Sequence, residues 1–382
     1  MSDRYDIAVI GAGVFGAWTA EMLRRAGQRV LLVDAWGPAH GRASSGGESR
    51  LTRTAYGADT VYSRMARESL ADWEALSAAA DLPLLHRNGV LFFFDRDDAY
   101  ARDSQAAHET LGYPMQTLAP DALAARWPQV DWAGVRFGLF EPESGVLMAR
   151  RAVQTLAARF TAGGGTYRQA AVRPPKRPDL IETLEGEVIV ADCYVFACGP
   201  WLPRLFPDLL GGRIFPTRQE VMFFAPPAGD GRFGPDVLPG WVDFNGGDMV
   251  YGMPDLEGRG FKLAVDRHGP PIDPDQGDRQ VSAAGLSEAR AYLARRFPAL
   301  AGAQLVETRV CQYENSSNGD FLIDRHPSWD NVVLVGAGSG HGFKHGPAVG
   351  RLAAELALKP GAGGEPRFAL SAKGSSQSRS VH

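Results

Sequence analysis

YDIAVIGAGVFGAWTAEMLRRAGQRVLLVD, residues 5–34, is the stretch whose reading decides the fold. Residues 5–10 form an apolar run of strand length, residues 14–26 carry the apolar spacing of an amphipathic helix, and residues 29–33 form a second buried strand. Gly27 ends the helix. Strand, glycine turn, helix and strand within about 30 residues predict a parallel βαβ unit. Gly11, Gly13 and Gly16 stand where such a unit must turn tightly, admit a pyrophosphate to its amides and pack helix on strand. The helix start then supplies an anion site. Asp34, at the end of the second strand, is placed to accept a ribose hydroxyl, which argues against a ribose 2′-phosphate. An adenine dinucleotide site follows, but the motif serves nicotinamide and flavin cofactors alike.

The whole chain of 382 residues suggests roughly two to three domains. Its 45% hydrophobic and 22% charged residues are ordinary globular values, and a net charge of −4 offers no basic excess for nucleic acid. The apolar runs are too short for a membrane span, and residues 1–5 lead straight into the first strand, so a cytoplasmic protein is expected. Cys193, Cys198 and Cys311 include no C-x-x-C pair, so neither a structural disulfide nor a metal site is expected.

Further along, residues 41–57 read as a polar Gly/Ser/Arg loop and residues 60–80 as a helix. A strand at 89–94 precedes helical stretches to about 132, and 149–162 reads as another helix. The strand at 192–197 meets Gly199 and Pro200, a junction at which an α/β sheet would again approach a ligand. From 214 to 313 alternating segments broken by Pro- and Gly-rich turns predict an antiparallel sheet with one helix at 286–297. A last buried strand at 331–335 runs into a second glycine turn, residues 336–342, and a helix to 358. Amides at that helix start could stabilise negative charge on a reduced flavin ring, or the turn could simply pack the helix. The predicted architecture is α/β in two domains: a discontinuous Rossmann-like dinucleotide domain (1–84, 148–213, 317–366), an antiparallel-sheet substrate domain (85–147, 214–316), and a disordered tail (367–382).

Several segments, taken in order, carry a resemblance: the Gly11 turn, GESRLTRTAYG at 47–57, FEPESGVL at 140–147, YGMP at 251–254, FKL at 261–263, VCQY at 310–313 and SGHGFK at 339–344. The chain resembles the FAD-dependent oxidases of the D-amino-acid-oxidase-like superfamily, in the branch of monomeric sarcosine oxidases and N-methyltryptophan oxidases. The resemblance extends to about Leu358. It implies FAD attached as a thioether through Cys311, with Ser45, Val172, Gly199, Gly340, Gly342, Phe343 and Lys344 among the cofactor contacts. Lys262 matches the lysine implicated in reaction with oxygen, where a fixed cation stabilises superoxide. Arg53 and Lys344 match the residues that hold the substrate carboxylate, Arg50 the basic residue over the flavin, and Tyr251 and Tyr313 the aromatic walls of the substrate cavity.

Two departures stand out. Gly46 and Asp266 occupy positions at which the sarcosine oxidases carry active-site histidines, which implies a larger or differently charged amine than sarcosine. The implied activity is oxidation of the C–N bond of a small amine or N-methyl amino acid, with O2 as acceptor, an imine and hydrogen peroxide as products, and a monomer or small homo-oligomer as the working form. A dehydrogenase with another electron acceptor and a non-catalytic FAD-binding protein are the alternatives.

Overall fold

The computed structural model describes residues 4–245, 247–361 and 363–377. The opening strand Arg4–Ile10 runs parallel to Val30–Asp34 on one side and to Val188–Phe196 on the other. Beyond Val30–Asp34 the sheet adds Thr166–Gln169; beyond Val188–Phe196 it adds Trp329–Gly336 and the antiparallel edge Leu322–His326. A parallel sheet must be covered on both faces, and the unbroken apolar runs at its centre are accordingly buried throughout. The helices Val14–Arg25, Thr60–Ala78, Ala149–Ala162 and Gly346–Leu358 share one core with the sheet. Close approach of the first and last of these depends on Gly350, where a Cβ would lie 2.8 Å from the Trp18 backbone.

A second, eight-stranded sheet runs in the order Leu305–Ser316, Ile214–Phe224, Phe261–Val265, Val250–Met253, Gly240–Asp243, Val90–Phe94, Phe137–Glu141, Gln116–Leu118. Its pairings are antiparallel except Gly240–Asp243 against Val90–Phe94. The long pair Ile214–Phe224 and Leu305–Ser316 sets Gln219 opposite Cys311 and Thr217 opposite Tyr313. The helix Ala283–Arg296 begins three residues before the expected 286, because the Ser282 hydroxyl caps it by accepting the Gly285 N–H at 3.0 Å. Its Tyr292 and Arg296 both donate to the buried Asp243 carboxylate, at 2.8 and 3.2 Å.

Two expectations need correction. The polar loop at 41–57 contains the strand Arg50–Thr52, which pairs with Gly145–Leu147 in a small sheet completed by Leu85–His86. Tertiary pairing there overrides a loop-like composition. The expected disordered tail is seated as far as residue 377: Arg367 forks onto Asp59 at 2.8 and 2.7 Å and reaches Asp320 at 2.6 Å, while Phe368 and Leu370 are buried. Polar composition concealed two apolar anchors and an ion pair. Residues 378–382 of that expectation lie outside the described residues.

Candidate functional site

The C-terminal ends of Arg4–Ile10, Val30–Asp34, Val188–Phe196 and Trp329–Gly336 open on a cavity of about 380 Å³, as expected where parallel strands end. Gly11 (φ +105°) faces Ala197, whose carbonyl oxygen would lie 2.3 Å from any Cβ, so only glycine fits. A Cβ at Gly16 would meet the Gly11 carbonyl oxygen at 1.8 Å; Gly16 thus serves helix packing and does not line the cavity. Asp34 is held at the rim, one oxygen accepting the Ala12 N–H at 2.8 Å and the other the N–H groups of Trp36 and Gly37, both at 2.9 Å. Ser45 reaches the helix start, its hydroxyl accepting the Val14 N–H at 3.0 Å. Gly13, Val172, Gly199, Gly340, Gly342 and Phe343 also line this cavity.

The second glycine turn is strained. Ala337 and Ser339 have φ of +56° and +46°, conformations that side-chain-bearing residues adopt at a cost of order 1–3 kcal/mol each. At Gly340 (φ +82°) a Cβ would sit 2.7 Å from the Tyr313 ring, so this glycine seats the tyrosine. Glu314, next to Tyr313, also lines the cavity with its carboxyl buried; burial pushes the carboxyl up to about 7 against the N–H groups of Ala337 and Gly338, which favour its ionised form.

Arg50, Cys311, Tyr313, Gly340 and Phe343 line both this cavity and a smaller chamber of about 80 Å³. Arg50 donates to the carbonyls of Ser49 and Ser44 at 2.8 and 2.7 Å, and its guanidinium lies 3.4 Å from Cys311 Sγ. Across the chamber, Arg53 hydrogen-bonds the Ala55 carbonyl and the Tyr100 hydroxyl, and its guanidinium sits 4.3 Å from the Tyr56 ring centre. Lys344 Nζ lies 5.1 Å from the same ring and donates to the His341 carbonyl at 3.0 Å. Burial, reinforced by the neighbouring Arg53, holds the Lys344 amine well below its ordinary range. Tyr251 is pushed up to about 12 by burial and stays a neutral phenol. Phe92, Val242, Phe244 and Met249 complete an apolar wall.

Lys262 lines neither cavity. It is buried behind them, Nζ donating to the Ser49 carbonyl at 2.7 Å, and burial together with Arg50 holds its amine well below the ordinary range. At Gly46 a Cβ would lie 2.1 Å from the His40 carbonyl oxygen, so the local backbone has no room for a side chain there. Sequence reasoning missed Glu314, Tyr100 and Tyr56, whose hydroxyl lies 2.7 Å from His345 Nε2 and 3.3 Å from His341 Nδ1. Nothing in the spacing marks Glu314; Tyr56 stands inside the quoted 47–57 segment and was legible there.

The donor set fits an adenine dinucleotide, with backbone amides at a helix start and a carboxylate at a strand end, and the Cys311 thiol stands on the wall between the two cavities. The profile of a family described as FAD dependent oxidoreductase, DAO, matches residues 6–356. Monomeric sarcosine oxidase of Bacillus sp. (strain B-0618) is 32% identical over 372 residues, covering 94% of this chain and 93% of that protein. N-methyl-L-tryptophan oxidase of Salmonella arizonae is 32% identical over 367 residues, covering 93% and 95%. Among solved structures, L-proline dehydrogenase from P. horikoshii has a TM-score of 0.84 at 19% identity, with 97% of this chain and 98% of that chain covered. Glycine oxidase from Geobacillus kaustophilus has a TM-score of 0.79 at 20% identity, with 97% and 99% covered.

Proposed function

Because the chain belongs to the family of FAD-dependent oxidoreductases, we propose that it oxidises the C–N bond of a small amine or N-methyl amino acid, giving an imine and hydrogen peroxide. The observation that carries this reading is the shared wall of the two cavities, with Arg50, Cys311 and Tyr313 facing both. Gly11, Gly13, Asp34, Ser45, Val172 and Gly199 would hold the nucleotide side of FAD, and Gly340, Gly342, Phe343, Arg50 and Lys344 the flavin side. Cys311 would retain the flavin covalently. In domain terms, 1–84, 148–213 and 317–366 carry the cofactor, and 85–147 with 214–316 close over the substrate.

Held between the Gly11 turn and Cys311, a bound flavin would supply the two-electron redox chemistry between the substrate carbon and dioxygen. The chain's own residues supply position and field. Arg53 and Lys344 hold the substrate carboxylate, Arg with its planar fork and Lys as a point charge that the arriving anion restores. Tyr251, Tyr313 and the Phe92–Phe244 wall exclude water from the reacting carbon, which is oxidised once the substrate nitrogen has released its proton. Arg50 places positive charge where a reduced, anionic ring would need it.

The named activity of two relatives, sarcosine oxidase and N-methyl-L-tryptophan oxidase, supports an N-methyl amino acid as substrate. One observation favours a second reading, a dehydrogenase with another acceptor: Lys262 is turned to Ser49 with its charged form disfavoured. Oxygen uptake separates the two. A panel of primary and N-methyl amino acids should include one that drives stoichiometric oxygen consumption and peroxide release; oxidation of a substrate with an artificial acceptor but without oxygen uptake selects the dehydrogenase.

A further inference from the structure

We infer that Asp266 forms a cation subsite in the chamber, so that this chain selects zwitterionic amino acids, their ammonium or alkylammonium group against Asp266 and their carboxylate on Arg53 and Lys344. The inference rests on the chamber being the substrate site. Among the described residues lining it, Asp266 is the one acid, facing the basic residues Arg50, Arg53 and Lys344. Its direction is fixed from two sides. The Asp266 N–H donates to the Met249 carbonyl at 2.7 Å, and its Oδ1 accepts the Tyr313 hydroxyl at 2.9 Å.

Tyr313 in turn cannot swing away, because its ring packs against Gly340. The carboxylate therefore lies on the wall that also carries the tyrosines, while the basic clamp holds the opposite charge within the same small space. A dipolar ligand matches that arrangement: its anion meets two cations, and its cation meets a carboxylate with aromatic faces beside it, which favour alkylammonium groups. A hydrogen-bonded histidine there would offer a ring nitrogen, whereas a carboxylate offers full negative charge. The competing explanation is that Asp266 merely offsets Arg53 and Lys344, both of which feel its field.

Calorimetric titration of the flavin-loaded enzyme with two unreactive, equally shaped ligands separates these. Glycine betaine carries a quaternary ammonium, and 3,3-dimethylbutanoate replaces that nitrogen with carbon and keeps the carboxylate. The wild-type protein should bind betaine about tenfold more tightly than its isostere, the scale of one partly screened charge pair. In Asp266→Asn, which keeps an oxygen for Tyr313, that ratio should fall to about one. Equal affinities in the wild type, or a ratio unchanged in Asp266→Asn with both ligands gaining alike, overturn the subsite and leave Asp266 as a counterion. Failure of both ligands to bind overturns the carboxylate clamp, and the subsite with it.

Discussion

Arg53 and Lys344 come from segments nearly three hundred residues apart, yet both cations sit over the ring of Tyr56. Loss of either should weaken a carboxylate substrate more than it slows turnover: Arg53→Met or Lys344→Met should raise KM about a hundredfold, with a smaller effect on kcat, in steady-state kinetics. Glu314 yields a different prediction. Its carboxyl is raised from an ordinary 4.5 to about 7 in the folded chain, so the stability it contributes is present below about pH 4.5 and lost as pH rises through about 7. Glu314→Gln should therefore gain on the wild type by about 3 kcal/mol between pH 4.5 and 8, read from denaturant unfolding of the cofactor-free protein; a difference constant with pH contradicts the assignment. Short motifs fixed Arg50, Arg53, Cys311 and Tyr313 in order, and all four lie on cavity walls. Glu314 was not, since burial of an acid arises from segments that meet only in three dimensions. Lys262 was legible as a residue but not in its orientation, which depends on the Ser49 backbone 213 positions away.

At the scale of elements, the glycine positions carry the account. The βαβ unit was readable because its strand, turn and helix are local, and Gly11 and Gly16 stand where a side chain would collide with backbone. Close packing of Val14–Arg25 on Gly346–Leu358 was not readable, because it depends on Gly350 meeting Trp18 across the core. Gly350→Leu should cost about 2–4 kcal/mol through overpacking, measured as a lowered urea midpoint at unchanged slope. The strand Arg50–Thr52 escaped the sequence reading for the same reason: three residues without alternation become a strand only when Gly145–Leu147 offers a ladder.

For the whole molecule, two sheets meet so that the cavity at the parallel strand ends and the smaller chamber share the wall that carries Arg50, Cys311 and Tyr313, and the α/β plan was legible from the switch between helix-rich and turn-rich texture. The seated segment up to residue 377 was not legible, its anchors being one arginine and two apolar side chains in polar surroundings. Truncation after residue 366 should cost about 4 kcal/mol, seen as a Tm lower by roughly 5 °C, because Phe368 and Leu370 leave cavities and Asp59 and Asp320 lose Arg367. The most direct test of the central claim, a flavin lodged from the Gly11 turn to Cys311, is the visible spectrum of the purified protein before and after acid precipitation. Flavin absorbance in the native protein that remains with the pellet in the wild type, and passes to the supernatant in Cys311→Ser, is the result predicted. Colourless protein that binds a nicotinamide dinucleotide in place of FAD would contradict it.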